Sequence, residues 1–439
     1  MSAADPLNTQ ADWNLASQIL QAIERPSIPD RTYVVTDYGA VGDGKTDARP
    51  AILETIRKAS AGGGGRVVLP AGLWYSKGPI HLESYVDLHL AEGATLLFSP
   101  DPGDYLPVVR SRWEGTELMT YSPLIYANGV HDVAISGRGT IDGNRESGFH
   151  AWHKLQGEDQ QRIRVLGARG VPVEQRVFAE GTYLRPSMIQ FFNCQRVLLT
   201  EYLVENSPFW VNHLIFCDHV SIRGVRIDSM WPNNDGVDLD SCTYAVVENC
   251  LFRTGDDGVV IKSGRDYDGR RAARPSEYIV VHHNDMGGED GIALGSEMSG
   301  SIRHVFFTDN ILRKGSAAVR FKGSPERGGV VEHIRVRNMT VESFERLIWF
   351  QLNYPGDLGG YYPAVYKDLV FEDMVVESTG KVLEVHAPKG YPLQGLRLRN
   401  IQIRQVTDPN PVILENVEGL VLENVQIGDQ RIDGVLNWK

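Results

Sequence analysis

Short apolar strands separated by turns recur along most of this chain, and this repeat limits the possible folds more than any other feature. From residue 66 onward the strands read R-V-V-L, P-I-H-L, V-D-L-H-L and A-T-L-L-F. Later repeats begin near Cys194, Cys217 and Cys242, which are 23 and 25 residues apart. Strand-containing repeats of about 20–29 residues are typical of solenoids. The sequence therefore predicts one long all-β solenoid and not a sandwich.

The first residues carry a pattern suited to covering an end of such a solenoid. Residues 11–26 place apolar side chains near a 3.6-residue period, and Pro26 ends the pattern. This predicts a short amphipathic helix. Because an open solenoid end exposes strand edges, we expect residues 1–32 to be an N-terminal capping segment and residues 33–439 to form the solenoid domain.

Residues 144–184 interrupt the strand rhythm with a charged run that has no strand pattern of its own. An insertion of this length is usually a functional wall or lid, and a solvated excursion is the alternative. We expect it to wall one end of a groove.

Charge and cysteine usage narrow the possible partners. The 44 Lys and Arg residues face 56 Asp and Glu residues, a formal charge of −12. This argues against nucleic acid or an anionic membrane surface as the partner, since both need basic patches. The four cysteines fit neither a disulfide framework nor a metal pattern. We expect Cys194, Cys217 and Cys242 to stack as small buried residues.

The sequence says less about location and assembly. It has no run of 18 apolar residues, so we expect no membrane span, and M-S-A-A-D-P-L lacks the features of a signal peptide. We therefore expect a cytoplasmic protein, or a periplasmic or secreted one if a signal has been removed. The oligomeric state is not predicted.

One stretch matches a nucleotide-binding pattern. The segment G-A-V-G-D-G-K-T, residues 39–46, fits the P-loop pattern and lies between a predicted strand and a predicted helix. However, Asp43 would put negative charge inside the phosphate cradle, and the chain continues as short strands. We favour a turn before the first solenoid repeat and keep nucleotide binding as the minor alternative.

Three aspartates concentrate the candidate chemistry. Asp235 lies 21 residues before Asp256, about one solenoid turn, and Asp257 follows directly. Asp beside Gly is the ordinary residue of a turn. However, one aspartate would serve each turn, and three aspartates on neighbouring repeats, two of them adjacent in sequence, favour a shared cleft. Carboxyls held together cannot all ionise freely, so at least one pKa should rise and leave an acid beside a base. Glycoside hydrolysis uses such a pair.

The motifs N-N-D-G-V-D, G-D-D-G-V-V-I-K-S-G, G-I-A-L-G-S-E-M-S-G and R-F-K stand in the order of those in glycoside hydrolase family 28. The chain resembles this family, the polygalacturonases and their relatives, from about Tyr33 to its C-terminal repeats. The resemblance implies that residues 33–439 are a right-handed parallel β-helix catalytic domain that hydrolyses α-linked galacturonic acid with inversion. The wall predicted at residues 144–184 would leave room for only the terminal sugar, so we expect exo action. It also implies an acidic oligo- or polysaccharide substrate and chemistry that needs no metal or cofactor.

The resemblance also assigns roles. It implies that Asp256 is the general acid and that Asp235 and Asp257 activate water. It implies that Arg320 and Lys322, which alternation places on one strand face, grip the sugar carboxylate.

Other candidates for substrate binding have weaker support. Tyr354 would contact the sugar by resemblance. Arg265 lies in a basic loop after the double aspartate, where ion pairing with Asp266 or Asp268 is an equal alternative. His213 precedes the catalytic turns and is a candidate for the cleft wall.

The chain departs from the family at Asp290, where a histidine is usual. An ionised aspartate accepts hydrogen bonds and cannot donate them. Asp290 could raise the pKa values of the cluster, meet a cation such as Arg265 or a substrate hydroxyl, or simply be a turn residue before Gly291.

Two other functions compete with hydrolysis. A β-helix polysaccharide lyase would use calcium and an arginine base, yet no calcium-loop pattern occurs. A catalytically inactive β-helix that only binds glycans is the second alternative, which the three intact aspartates disfavour.

Overall fold

The structure is a computed structural model that describes residues 9–356 and 358–438. Most of its strands wind in successive turns, and they pair in parallel with strands of the turns before and after them. The pairings form three ladders that run along the solenoid, called here the first, second and third ladder. This parallel β-helix confirms the predicted fold class.

The first ladder contains one strand from each turn. Its strands are Thr32–Val34, Gly65–Leu69, Val86–Leu90, His131–Ser136, Gln195–Thr200, Asp218–Arg223, Thr243–Glu248, Ser276–His282, Ile302–Thr308 and Val330–Arg337. The second ladder contains Asp43–Asp47, Gly72–Ser76, Ala94–Phe98, Thr140–Asp142, Leu203–Glu205, Arg226–Ser229, Leu251–Thr254 and Asp285–Gly287.

The third ladder positions the candidate site. It contains Ile80–His81, Ile125–Asn128, Ile189–Phe192, Asn212–Ile215, Val237–Asp240, Val259–Lys262, Asp290–Leu294 and Val412–Glu415. Longer strands bend round corners and serve two or three ladders: Ile311–Lys322, Thr340–Gln351, Val365–His386, Leu393–Val406 and Val417–Ile427. The strand Gln430–Trp438 folds back antiparallel on the last turn.

Alternating side chains fill the interior. In the third ladder Val237 and Leu239 point into one continuous apolar core that runs through the solenoid, while Asp238 and Asp240, which alternate with them, point outward. Cys194, Cys217 and Cys242 are fully buried free thiols in the same core, as the sequence predicts. The interior therefore fixes which residues of each strand reach the outer face.

Asparagine and aspartate make several of the turns between the first and second ladders. Asn249, Asp309, Asn338 and Asp373 occupy corresponding positions with φ of 52–56°. These residue types tolerate the left-handed region better than others, because their side chains can bond the local backbone. The regular turns let the strands stack in register.

The described residues form five α-helices besides the strands: α1 Gln10–Ala22, α2 Arg49–Ala61, α3 Phe149–Trp152, α4 Gly157–Ala168 and α5 Asp266–Ala272. Short 3₁₀ turns occur at Val35–Tyr38, Pro102–Tyr105 and Val173–Gln175. A small separate sheet joins Val109–Trp113, Thr116–Thr120 and Val177–Phe178.

The N-terminal helix forms, but the expected capping position differs. Helix α1 packs Trp13 and Ile19 against Val246, Val280 and Phe306 on the outer face of the first ladder. The apolar face of helix α1 is thus buried by apolar side chains on the middle turns of the first ladder, and not by the solenoid end. Helix α1 therefore covers a flank of the solenoid. Residues 1–8 of the predicted capping segment lie outside the described residues.

Helix α2 covers the N-terminal end instead. It takes the place of a third-ladder strand in the first turn and buries Ile52, Ile56 and Ala59 in the interior core. Just before it, Asp43 accepts hydrogen bonds from the N–H groups of Lys45 and Thr46 at 2.9 and 2.8 Å. The carboxylate of Asp43 therefore fills its own anion cradle, which supports the turn and not a nucleotide loop.

Among the residues described, no helix is long and apolar enough to cross a membrane.

Candidate active site

The parallel register stacks three aspartates. Val237 pairs with Val259, and Val259 pairs with Ile292. Counting back two residues aligns Asp235, Asp257 and Asp290 on three successive turns. Backbone hydrogen bonds confirm the alignment, since the N–H groups of Gly236 and Gly258 donate to the carbonyls of Asp257 and Asp290, each at 2.9 Å.

Asp256 completes a cluster with Asp235 and Asp257, as the sequence predicts. One carboxylate oxygen from each lies within 4.8 Å of the others. Asp235 and Asp257 are buried, and Asp256 is partly exposed. The spacing would also suit a cation, but the ammonium of Lys322 lies 2.6 Å from Asp257 and competes for that position.

Burial and mutual repulsion change the acidity of the cluster. Burial, and then the charge of Asp256, hold the pKa of Asp235 well above its usual value. Burial also raises the pKa of Asp256 and of Asp257, although Lys322 opposes the rise in both. Because the carboxyls interact, a proton retained here belongs to the cluster and not to one residue. The predicted coexistence of acid and base is therefore physically supported.

Asp290 lies behind the cluster and binds two cations. Its Oδ2 is 3.0 Å from both Lys322 Nζ and Arg320 Nη1, and its Oδ1 accepts from the N–H of Ala317 at 3.1 Å. Burial alone would lower the pKa of Lys322, but Asp257 and Asp290 hold it well above its usual value. Of the three interpretations of Asp290, the structure shows a cation contact, with Arg320 and Lys322 and not with Arg265.

The aspartates open into a cleft of about 540 Å³. One wall comes from the insertion and contains His153, Lys154, Gln156, Gly157, Gln160 and Arg164. Tyr354 and Pro355 line the cleft as well, together with Glu114 from the hairpin of the small sheet. The insertion is therefore a wall of the cleft and not a solvated excursion. A larger groove, of about 1150 Å³, runs over the turns of later repeats and contains none of the three carboxylates.

A second group of charges lies in the same cleft. Glu297 accepts from Lys262 Nζ at 2.9 Å and from Arg265 Nη1 at 3.2 Å. The ammonium of Lys262 also lies 4.4 Å from the ring centre of Trp210. Burial by itself would raise the pKa of Glu297, but the charges of Lys262 and Arg265 hold this pKa well below its usual value. Arg265 thus lies in the cleft as predicted, and its partners there include Glu297. The alternative is observed as well, since Arg265 Nε lies 3.6 Å from Asp266 Oδ2.

Three predicted substrate-binding residues do not line the cleft. Asp290 has no exposed surface, since the cations that it binds cover it. Arg320 is held behind Lys322 between Asp290 and the ring of Trp349, 3.9 Å from its guanidinium carbon. Lys322 and Tyr354 do line it.

His213 is the third predicted substrate-binding residue that does not line the cleft. It is fully buried, where Gln190 lies 3.1 Å from its Nδ1 and Asp240 lies 3.7 Å from its Nε2. It faces outward on its strand, as alternation requires, but Trp210 packs against its ring and the cleft does not reach it.

Two residues that were not predicted from the sequence, Asn233 and Arg185, form a hydrogen-bonded chain to Asp256, the predicted acid. Asn233 donates to Asp256 Oδ2 at 3.3 Å and accepts from Arg185 Nη2 at 2.6 Å. Burial lowers the pKa of Arg185 to about 10. Asn233 stands in the quoted N-N-D-G motif, so its position was a usable signal, whereas Arg185 follows the insertion and carried none.

Comparison with known proteins places these features in a family. The sequence model of glycosyl hydrolases family 28 matches residues 173–423, more than half of the chain. The chain belongs to this family. As a family 28 member it is a glycoside hydrolase. A second model, described as rhamnogalacturonase A/epimerase, pectate lyase-like, matches residues 33–91.

Individual proteins similar to this chain are named as polygalacturonases or galacturonosidases. The structure of a hyperthermoactive exopolygalacturonase from Thermotoga maritima is 36% identical with a TM-score of 0.90, covering 98% of this chain and 100% of that one. A probable polygalacturonase from Vitis vinifera is 29% identical, over 92% of this chain and 81% of its own. An exo-poly-alpha-D-galacturonosidase from Dickeya chrysanthemi is 25% identical, over 79% and 62%.

Proposed function

We propose that this protein is an exo-acting hydrolase that releases single galacturonic acid units from the ends of polygalacturonate and its oligomers. The observation that carries the proposal is the position of Asp235, Asp256 and Asp257 in a cleft walled by the insertion. A walled cleft favours a chain end over the middle of a polymer. The exo-acting relatives from Thermotoga maritima and Dickeya chrysanthemi support this choice.

In the proposed reaction Asp256 protonates the glycosidic oxygen as the bond to the leaving sugar breaks. Asp235 and Asp257 hold a water molecule and remove its proton while its oxygen attacks the anomeric carbon. Lys322 stabilises the ionised form of Asp257 through their 2.6 Å contact and, as a cleft residue, binds a sugar carboxylate. Asn233 orients Asp256.

Product analysis during the first minutes of digestion tests the proposal. Polygalacturonate should yield galacturonic acid alone, because each cut removes a terminal unit. A ladder of mid-length oligomers would contradict exo action and leave the insertion with another role.

The same digest tests the two rival functions. An ultraviolet-absorbing unsaturated product that disappears with chelator would identify a lyase. Binding of galacturonate oligomers without any cleavage would identify a glycan-binding protein. Saturated products in the presence of chelator are the expected result.

A further inference from the structure

The side chain of Arg185 connects the wall of the cleft to the aspartate cluster. Arg185 directly follows the insertion in sequence and is only 1% exposed. Its Nε donates to Gln156 Oε1 at 3.0 Å, and Gln156 lies in the cleft wall at the start of helix α4. Its Nη2 donates to Asn233, which in turn donates to Asp256. An unbroken row of hydrogen bonds therefore leads from the wall to the proposed acid.

The other contacts of Arg185 hold two turns of the solenoid. Nη1 donates to the carbonyl of Pro208 at 3.1 Å and to the carbonyl of Pro232 at 2.8 Å. These prolines lie in the turns that lead into two neighbouring strands of the third ladder. The planar fork of a guanidinium can serve acceptors on several sides at once, whereas a lysine donates from a single nitrogen. Arginine is therefore the side chain that suits this position.

The charge of Arg185 is not cancelled by a direct partner. Among the residues that the structure describes, no carboxylate forms an ion pair with Arg185, and its four hydrogen-bond acceptors are neutral oxygens. Burial lowers its pKa, while the negative charges of Glu114, Asp235 and Asp256 oppose the decrease. Because such an interaction is mutual, the cation favours the ionised form of Asp256. A buried charge without an ion pair is costly to the fold, so stability alone does not account for it.

We propose that Arg185 is a positioning residue that couples the cleft wall to the acid, so that Asp256 is aligned with the leaving oxygen only while Gln156 and helix α4 are in place. The inference rests on the proposed role of Asp256 and adds a residue that acts through it. A chain that does not fill the walled end of the cleft would meet a poorly aligned acid. Exo action would then be set by the rate of turnover as well as by binding.

Two substitutions of Arg185 separate its geometry from its charge. Arg185→Lys keeps the charge but cannot bridge Gln156 and Asn233. We expect kcat on an oligogalacturonide to fall about 10²-fold, the usual cost of a misplaced catalytic group, while the dissociation constant of the substrate changes little. Arg185→Met removes the charge as well. It should also move the basic limb of the kcat/KM profile to higher pH, because Asp256 then keeps its proton over a wider range.

A buried arginine elsewhere in the insertion supplies the control. Arg176 is fully buried and donates to the carbonyls of Val171 and Glu117. Arg176→Lys should therefore lower stability without moving the basic limb or lowering kcat. Equal changes in the Arg176 and Arg185 variants would overturn the inference, because they would show a general effect of losing a buried arginine.

A double-variant cycle tests the coupling without changing Arg185, and it decides alone where the Arg185 variants fail to fold. Gln156→Met and Asn233→Leu each remove one partner of Arg185. We expect both to lower kcat, and the double variant to lose little more than Asn233→Leu alone. The inference is overturned if the two losses multiply, if Gln156→Met changes only KM, or if Arg185→Lys keeps the parent kcat. Turnover by Asp256→Asn within about tenfold of the parent would instead overturn the proposed role of Asp256.

Discussion

The ammonium group of Lys322 lies 2.6 Å from the carboxylate of Asp257. The same ammonium is 3.0 Å from Asp290, so one cation links a cleft carboxylate to a buried one. An opposite charge this close favours the ionised carboxylate. Among the three cleft aspartates, Asp257 is therefore the one best suited to remain a base.

Replacing the proposed acid should slow the chemical step more than binding. Asp256→Asn removes the proton donor but keeps the shape of the side chain. We expect kcat to fall about 10²–10⁴-fold, the usual size of acid catalysis, while the dissociation constant of an oligogalacturonide changes little. Steady-state kinetics and calorimetric binding measure the two quantities. Turnover within about tenfold of the parent would remove Asp256 from the mechanism.

The stereochemistry of the product is a separate prediction. Family membership implies inversion, although inverting pairs are usually about 6.5–9.5 Å apart and the oxygens here lie within 4.8 Å. Proton NMR during the first turnovers should show the β-anomer from an α-linked substrate. Initial release of the α-anomer would mean that Asp235 or Asp257 acts as a nucleophile.

Removing the buried charge of Asp290 should shift the pH dependence. Asp290→Asn leaves Lys322 and Arg320 with fewer opposing charges, which stabilises ionised Asp257 and lowers its pKa. The acidic limb of the kcat profile should therefore move to lower pH. Asp285→Asn is a matched control, because Asp285 lies on the same turn and pairs with Arg313 outside the cleft. An equal shift in both variants would count against a local effect.

Asp238 should reduce stability at neutral pH. Burial raises the pKa of Asp238 well above the usual value for a carboxyl group, although the positive charge of Lys262 opposes the rise. A raised carboxyl pKa costs stability once the pH exceeds the pKa of the unfolded chain, about 3.9. Asp238→Asn should thus increase the free energy of unfolding at pH 7.5 and change it little at pH 3.5.

Urea denaturation at the two pH values measures this, with exposed Asp30→Asn as the control. A variant that is less stable than the parent at pH 7.5 would mean that ionised Asp238 is stabilised by Lys262, 3.8 Å away.

The repeat and the aspartate motifs were enough to predict the solenoid and the catalytic cluster. Strand period and turn residues are local properties, and register then brings Asp235 beside Asp257 without further information. The roles of these residues remain predictions until the variants are measured.

Sequence reasoning failed where the outcome depended on what covers a side chain. Arg320 and Lys322 share a strand face as predicted, yet Asp290 and Trp349 hold Arg320 away from the cleft. His213 also faces outward but is covered by Trp210. Strand alternation gives the direction of a side chain, whereas the neighbours that bury it come from distant turns and from the insertion.

Helix α1 binds a site that is synthesised long after it. The side chains of Thr9 and Trp13 donate hydrogen bonds to Glu372 at 2.8 and 2.6 Å, and Asp12 pairs with Arg335. A chain that emerges from the ribosome N-terminus first can therefore complete the contacts to Glu372 only after more than 350 residues have followed Trp13. The apolar side chains of the helix find Val246, Val280 and Phe306 before that. The last contacts to form would join the beginning of the chain to one of its final turns, so a truncated product that lacks those turns would carry an unsatisfied helix.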